Sequence, residues 1–214
     1  MNGIDKIKNE LVSIGKDDLI PIERPSASIV IIRDLNKMIE VYSLGDCSII
    51  IENTSGDIEY IHDNSVTNLD DTIINKMIKV RDEHNLSLNE LRSILLKDLY
   101  DNRLRKNTSK GYWILELDKL AIKHGIHKMY PEENVKHVAI FSDGFAEYVS
   151  SVHLAGSWNE FMETLKSNEL SYMLKNLRKL QEDDSECIKY PRLKVMDDAS
   201  LLLISFRIAP YRAV

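Results

Sequence analysis

The chain has 214 residues, of which 43% are hydrophobic and 29% charged, and its formal net charge is −6. This composition excludes a disordered chain, and no apolar run approaches the roughly 18–20 residues of a membrane helix. The interspersed negative charge disfavours nucleic acid as a partner, because phosphate neutralisation needs a basic face. Two distant cysteines, Cys47 and Cys187, and a start without basic-then-apolar order favour a reducing compartment. We therefore expect a cytoplasmic protein that binds neither nucleic acid nor membrane.

The first part of the chain predicts a helix followed by strands. Isoleucine and leucine recur at helical spacing over residues 4–15, with Gly15 placed for a C-cap. The β-branched or alternating segments that follow lie at 28–32, 38–44, 48–52 and 58–61. Short turns join these segments, and tight turns cannot connect parallel strands. We therefore expect an antiparallel meander.

Helical spacing returns over residues 68–100, with a break near Asn85. Directly after this break, Ser87 and Glu90 have the spacing of a capping box, in which each side chain satisfies a backbone amide of the first turn. The pattern therefore predicts two helices.

Strands and helices alternate in the rest of the chain. Strands are predicted at 112–117 and 137–141, and a second capping box at 157–160 opens a helical pattern that runs, with one break, to about Gln181. The last predicted strand, 199–206, is apolar enough to be central in a sheet. This order of elements favours an α+β layered domain.

Three acidic positions adjoin apolar strands. Asp46 and Asp143 each follow a strand, and Asp198, after Asp197, leads into the last one. Carboxylates that converge at one rim of a sheet repel each other unless a divalent cation lies between them, and Mg²⁺ and Mn²⁺ prefer carboxylate oxygen. The alternative is that each aspartate is a turn residue that accepts hydrogen bonds from nearby amides.

The sequence around all three aspartates resembles the metal-dependent protein phosphatases of the PPM (type 2C) family. Residues 41–47, VYSLGDC, are similar to the family's strand that ends in Gly-Asp-Ser. Residues 138–145, VAIFSDGF, are similar to its Ser/Thr-Asp-Gly segment, and residues 197–204, DDASLLLI, to its closing Asp-Asn-Thr/Ser strand. The three motifs occur in the family's order within residues 26–206.

The resemblance implies an α+β fold made of two packed antiparallel β-sheets flanked by helices, the family's α-β-β-α sandwich. It implies one domain over residues 1–214, with a core at about 26–206 and a helical insertion at about 68–106. The implied activity is hydrolysis of phosphoserine or phosphothreonine in a phosphoprotein substrate by metal-activated water. The implied cofactors are Mg²⁺ or Mn²⁺, two ions in the family.

The resemblance also assigns roles to individual residues. Asp143 and Asp198 match the two later metal ligands, and Asp46 matches an aspartate that helps to hold a third, weaker metal. Three neighbours are expected to orient the ligands Asp143 and Asp198 without binding the metal themselves. They are Gly144, Asp197 and Ser200.

The candidates for gripping the substrate phosphate are Arg103 and Arg105 in the insertion, because a guanidinium suits phosphate. The alternative interpretation of both arginines is solvated surface charge.

The family's first motifs have no counterpart before Ser26. In the family, an Asp-Gly-His-Gly-Gly-like segment bridges the two main metals, and an early arginine grips phosphate. We therefore expect an N-terminally incomplete domain, either a fragment or a shortened relative, that is weakly active or inactive. The alternatives are a non-catalytic phosphatase-like binding or regulatory protein, and a structural domain whose aspartates only form turns. A missing strand pair would uncover a sheet edge, through which two chains could form a homodimer.

Overall fold

The computed structural model describes residues 3–14, 19–20, 22–117, 119–167 and 170–206. By its backbone contacts the chain divides into two compact units. The first unit comprises residues 1–30, 42–46 and 63–127, and the second comprises residues 31–41, 47–62 and 128–214. The expected extent of a single domain over residues 1–214 stays a prediction.

The described residues form helices and strands in the order expected of an α+β chain. The α-helices are α1 (Gly3–Ser13), α2 (Asn64–His84), α3 (Leu88–Ile94), α4 (Leu96–Arg103), α5 (Asp143–Ser150), α6 (Trp158–Ser167) and α7 (Leu170–Asp183). The strands are β1 (Ile29–Asp34), β2 (Met38–Leu44), β3 (Ser48–Asn53), β4 (Ile58–Ile61), β5 (Ile126–Pro131), β6 (Val135–Phe141) and β7 (Leu201–Ser205). Two 3-10 helices lie at Lys119–His124 and Glu132–Asn134. The C-cap predicted at Gly15 lies outside the described residues.

The strands form two sheets. A three-stranded sheet has the order β1-β2-β5, and a four-stranded sheet has the order β4-β3-β6-β7. The predicted fold class, α+β with two antiparallel sheets flanked by helices, is confirmed. None of the described helices is both long and apolar enough to cross a membrane.

The prediction of a single meander is wrong, because β2 and β3 belong to different sheets. Strand β3 is buried at every position from Ser48 to Glu52, so it needs a neighbour on each side. It pairs antiparallel with β4, as the short turn predicts, and also with β6, which comes much later in the chain. Between β2 and β3 the chain turns at Gly45, whose φ of 95° favours glycine.

Two strand predictions in the second half need correction. Residues 112–117 form no strand and take part only in isolated bridges, Lys106 with Tyr112 and Ala27 with Leu115. Strand β7 stands at the end of its sheet's order rather than in the centre. Its Leu201 and Leu203 pack against the core, whereas Leu202 between them is 54% exposed, so a continuous apolar run does not prove a central strand here.

The hydrophobic core of the second unit lies between its sheet and helices α5, α6 and α7. Phe141 of β6 contacts Phe161 of α6, and Phe161 also meets Tyr148 of α5 edge-on. Met173 and Leu177 of α7 complete this layer, and both are fully buried. Each such side chain contributes about 1.5–3 kcal/mol by leaving water. This packing fixes α5, and therefore the residues at its start, against the end of β6.

The predicted break near Asn85 is present between two helices of the first unit. Asn85 closes α2 in the left-handed conformation, and the complete capping box of Ser87 and Glu90 opens α3. A further break at Leu95, absent from the prediction, separates α3 from α4. In the same unit Lys106 and Glu116 form an ion pair at 2.7 Å in which each side chain is 6% exposed.

Candidate functional site

The Ser142-Asp143-Gly144 segment lies where buried strand β6 ends and helix α5 begins. Ser142 is the N-cap residue of α5 and Asp143 is its first residue. A carboxylate in this position is favoured by the partial positive charge of a helix N-terminus. Asp143 is exposed, and its Oδ1 accepts a hydrogen bond of 2.8 Å from the amide of Gly144.

Ser142 joins the start of α5 to the segment that precedes β7. Its amide donates to the carbonyl of Ser200 at 3.0 Å, and its Oγ accepts from the Ser200 amide at 3.0 Å. The same Oγ donates to the carbonyl of Asp198 at 3.2 Å, so the hydroxyl makes no cap hydrogen bond to its own helix. These bonds extend the β6–β7 ladder by one residue beyond the Phe141–Leu201 pair.

Gly144 closes the same junction from the helix side. A β-carbon at this position would lie 2.3 Å from the carbonyl oxygen of Asp198 and 3.1 Å from the Cβ of Asp197. Any side chain would therefore force the two segments apart. The backbone at Gly144 thus lies directly against the carbonyl group of Asp198.

Asp197 is already engaged within its own segment. Its Oδ1 accepts from the amide of Asp198 at 2.9 Å, and its Oδ2 pairs with the ammonium group of Lys194. Its backbone carbonyl accepts from a guanidinium nitrogen of Arg178 at 2.6 Å. Asp198, in contrast, is exposed at the surface.

A half-buried acid, Glu147, lies one helical turn beyond Asp143. Burial raises the pKa of Glu147, a hydrogen bond from Gln181 and the charge of Arg192 lower it in part, and the charges of Asp197 and Asp143 raise it further. The charges of both acidic segments therefore act on the pKa of Glu147. No pattern in the sequence points to Glu147.

Asp46 belongs to the first unit, where it follows β2 in the turn. It is half-buried and is held by Ser28, whose hydroxyl donates to its Oδ1 and accepts from its amide at 3.2 Å. Gly45 makes room for this contact, since a β-carbon there would lie 2.3 Å from the Ser28 oxygen. Here Asp46 acts at least as a turn residue, which is the alternative that the sequence left open.

The two candidate phosphate-binding arginines, Arg103 and Arg105, are exposed in the first unit. Burial raises the pKa of the Tyr112 phenol, the charge of Arg103 lowers it in part, and the charge of Asp46 raises it. Arg103 and Asp46 therefore act on the same phenol. Among the described residues, the side chain of Arg105 forms no ion pair with Asp46.

Two histidines, one cysteine and the second predicted capping box have local contacts of their own. His124 lies flat on Trp113, with ring centroids 3.5 Å apart, and His137 bonds Ser205 through Nδ1 at 2.9 Å. Cys47, in the turn before β3, is half-buried. The second capping box is half formed: Ser157 accepts from the Glu160 amide, whereas the Glu160 carboxylate accepts from Gly156.

The carboxylates of the described residues set a limit on the metals that the resemblance implies. In the part of the chain that the structure describes, no group of three or more His, Cys, Asp or Glu side chains could hold a metal ion. The junction brings two carboxylate-bearing segments together, at Asp143 and Asp198, and Asp197 is occupied by Lys194. Mg²⁺ takes six ligands in octahedral geometry and usually keeps several waters. The described residues therefore do not fit a two-metal centre and suit at most one largely hydrated ion.

Comparison with known proteins finds similarity at the level of fold. No model of a protein family matches the chain, and no curated protein matches it. The chain is similar to the solved structure of serine-threonine phosphatase 2C from Toxoplasma gondii, with 12% identity and a TM-score of 0.48 over 95% of this chain and 64% of that one. A bacterial serine phosphatase gives 13% identity and a TM-score of 0.46, covering 95% and 65%. A serine/threonine phosphatase from Staphylococcus aureus gives 14% and 0.45, covering 95% and 63%.

The chain thus spans less than two thirds of the length of each of these phosphatases. All three likenesses have low identity and TM-scores below 0.5. They are not evidence for what this chain binds or catalyses.

Proposed function

We propose that this chain is a serine/threonine-phosphatase-like domain that binds one Mg²⁺ or Mn²⁺ ion weakly through Asp143 and Asp198. Its ligand would be the phosphate group of a phosphoserine or phosphothreonine protein, and hydrolysis by the described residues would be very slow or absent. Two cysteines far apart in the sequence suit the cytoplasmic location proposed with it.

The junction between α5 and the start of β7 carries this proposal. Ser142 bonds both the Asp198 carbonyl and the Ser200 amide, and Gly144 leaves room for the Asp198 carbonyl. An isolated turn residue needs none of these contacts between segments that are distant in the sequence. They favour a shared role for Asp143 and Asp198 over the interpretation of each as a separate turn former.

The number of ligands limits the activity. A bound metal ion lowers the pKa of its water, which is how metal hydrolases obtain hydroxide at neutral pH. Two carboxylates on a hydrated ion hold that ion loosely, and the described residues add no third acid to them. A site that binds its ion weakly is occupied for little of the time. Turnover should therefore be lower by several powers of ten than with a complete metal centre.

The test combines calorimetry with an assay of turnover. Titration with MnCl₂ should show weak binding by the unaltered chain and weaker binding by Asp143→Asn and by Asp198→Asn. Asp101→Asn, an exposed aspartate of α4 that pairs with Lys97, is the matched control and should bind as the unaltered chain does. Hydrolysis of p-nitrophenyl phosphate or a phosphothreonine peptide should stay near background in all four proteins.

Two results would contradict the proposal. Absence of Mn²⁺ binding by the unaltered chain would remove the cation site. Robust turnover that Asp143→Asn abolishes would show that a full centre is present after all.

A second candidate function is phosphoprotein binding without hydrolysis, which the same ligand count favours. Binding of a phosphothreonine peptide without release of phosphate would support it.

Pairing of two copies through the edge of β7, where Leu202 is 54% exposed, stays a prediction that light scattering can check.

A further inference from the structure

The connection from α7 to β7 is built on one buried arginine. Arg192 is 3% exposed and makes five hydrogen bonds, as many as its guanidinium has N–H groups. Its acceptors are the carboxylate and carbonyl of Asp184 and the carbonyls of Gln181, Tyr190 and Val195. A connection without regular secondary structure is therefore tied to the end of α7 up to Val195.

Asp184 anchors the other side of this connection. Its two carboxylate oxygens accept from the amides of Ile188, Lys189 and Tyr190 at 3.0–3.1 Å, besides the 2.7 Å bond from Arg192. Hydrogen bonds to Asp184 and Arg192 therefore fix the connection up to Val195. The short segment from Val195 to Asp198 needs a further contact.

Arg178 of α7 fixes that stretch. One of its terminal nitrogens donates to the Asp197 carbonyl at 2.6 Å, and the other donates to Gln181 Oε1 at 2.8 Å. Gln181 is fully buried, and its amide nitrogen donates to Glu147 of α5 at 2.5 Å. The guanidinium therefore connects the Asp197 backbone to the helix that begins at Asp143.

Two successive carbonyls are thus gripped by different elements. Arg178 of α7 holds the carbonyl of Asp197, and Ser142 at the start of α5 holds the carbonyl of Asp198. Fixing both peptide groups around one residue fixes the direction of its Cα–Cβ bond, because only φ and ψ are soft. The residue so constrained is Asp198.

We propose that Arg178 is a positioning residue that sets the direction of the Asp198 carboxylate beside Asp143 through the Asp197 carbonyl. The inference rests on the proposed function in taking Asp198 as a cation ligand. Outer partners of this kind commonly change metal affinity by about 10- to 100-fold when they are removed.

The experiment compares Arg178→Gln, Arg178→Lys and the matched control Lys179→Gln. Lys179 is the next residue of α7, is exposed, and loses the same charge. Two measurements are made on each protein: hydrogen exchange at the amides of Asp198 and Ser200, and Mn²⁺ affinity by calorimetry at a temperature well below unfolding.

We expect Arg178→Gln to speed exchange at both amides and to weaken Mn²⁺ binding about tenfold, while amides of β3 and β6 keep their exchange rates. Arg178→Lys should recover part of both effects, since an ammonium can still donate to the Asp197 carbonyl. Lys179→Gln should change neither measurement.

A lower melting temperature of Arg178→Gln with unchanged exchange and unchanged Mn²⁺ affinity would overturn the inference and leave Arg178 a purely structural tie. If the unaltered chain binds no Mn²⁺, the proposed function fails. The exchange rates at Asp198 and Ser200 still decide in that case whether Arg178 positions the segment, and Arg178→Lys serves if Arg178→Gln does not fold.

Discussion

Gly144 faces the carbonyl oxygen of Asp198 so closely that a β-carbon at position 144 would lie 2.3 Å from that oxygen. Real β-carbons do not approach backbone oxygen to that distance, so the contact depends on the absence of a side chain. Glycine is needed here for close approach of two backbone segments and not for an unusual φ.

Gly144→Ala should therefore separate the two acidic segments. The added methyl group must push Asp198 or the start of α5 aside, at a cost of about 1–3 kcal/mol typical of overpacking. Urea unfolding measures this loss, and calorimetry should show weaker Mn²⁺ binding. Gly3→Ala is the control, because nothing lies within 4 Å of a β-carbon at Gly3. Equal stabilities of Gly144→Ala and the unaltered chain would show that the junction yields without cost.

Ser142→Ala should loosen the same junction by a different route. It removes the acceptor of the Ser200 amide and the donor to the Asp198 carbonyl, a loss of about 1 kcal/mol in unfolding free energy. Ser142→Thr keeps the hydroxyl and should retain most of this stability. Ser150→Ala removes only local bonds, to the Ala146 carbonyl within α5 and to the neighbouring Ser151 hydroxyl, and should change the unfolding free energy much less. A Thr variant as weak as the Ala variant would argue against the hydroxyl's role.

Helix ends could be predicted from the sequence where they depend on local signals alone. The capping box of Ser87 and Glu90 and the left-handed stop at Asn85 depend on a few neighbouring residues, and both are present as predicted. Strand β5 was missed because its side chains alternate between half-buried and exposed, and it includes polar residues and Pro131. The misassigned meander shows the same limit: which strand becomes the second neighbour of β3 depends on contacts about ninety residues away in the chain.

The candidate site divides in the same way. The motif residues Asp143, Gly144 and Asp198 could be found from the sequence, because they adjoin apolar strands and resemble a known pattern. Arg178 and Arg192 could not, because Arg178 resembles a solvated helix residue and Arg192 stands in an irregular segment. Their importance arises only when folding brings backbone carbonyls within reach of their guanidinium groups.

Glu147→Gln should stabilise the protein at neutral pH. Burial is the main cause that raises the pKa of Glu147, so the folded state binds this proton more tightly than the unfolded state. The stability due to Glu147 is therefore present below its unfolded pKa of about 4.3 and is lost as pH rises through the folded pKa.

Gln at position 147 carries no charge, and its carbonyl can still accept from Gln181. Melting temperatures between pH 4 and 8 should fall less with rising pH in Glu147→Gln than in the unaltered chain. Glu163→Gln is the control with opposite sign, because the hydrogen bond from Lys166 lowers the pKa of the exposed Glu163. Identical pH profiles of Glu147→Gln and the unaltered chain would contradict the argument.

The Arg192–Asp184 pair should govern stability in acid. Burial alone would raise the pKa of Asp184, but the hydrogen bonds from Arg192 and from three backbone amides outweigh it and lower the pKa. The folded state therefore holds this proton less tightly than the unfolded state. The stability so gained is present above the unfolded pKa of about 3.9 and is lost as pH falls through the folded pKa.

Urea unfolding at pH 7 and at successively lower pH measures this contribution. Arg192→Met should cost about 3–5 kcal/mol at pH 7, because it leaves the Asp184 carboxylate, 10% exposed, without its cation. Asp184→Asn should be less stable than the unaltered chain at pH 7 and should lose less stability on acidification. Asp101→Asn, which breaks an exposed pair with Lys97, should cost less than about 1 kcal/mol. Because Asp184 also accepts three amides, an Arg192→Met variant as stable as the unaltered chain would mean that these amides, and not the buried guanidinium, hold the connection to β7. A loss in Asp101→Asn as large as that in Arg192→Met would contradict the attribution of the effect to burial of the pair.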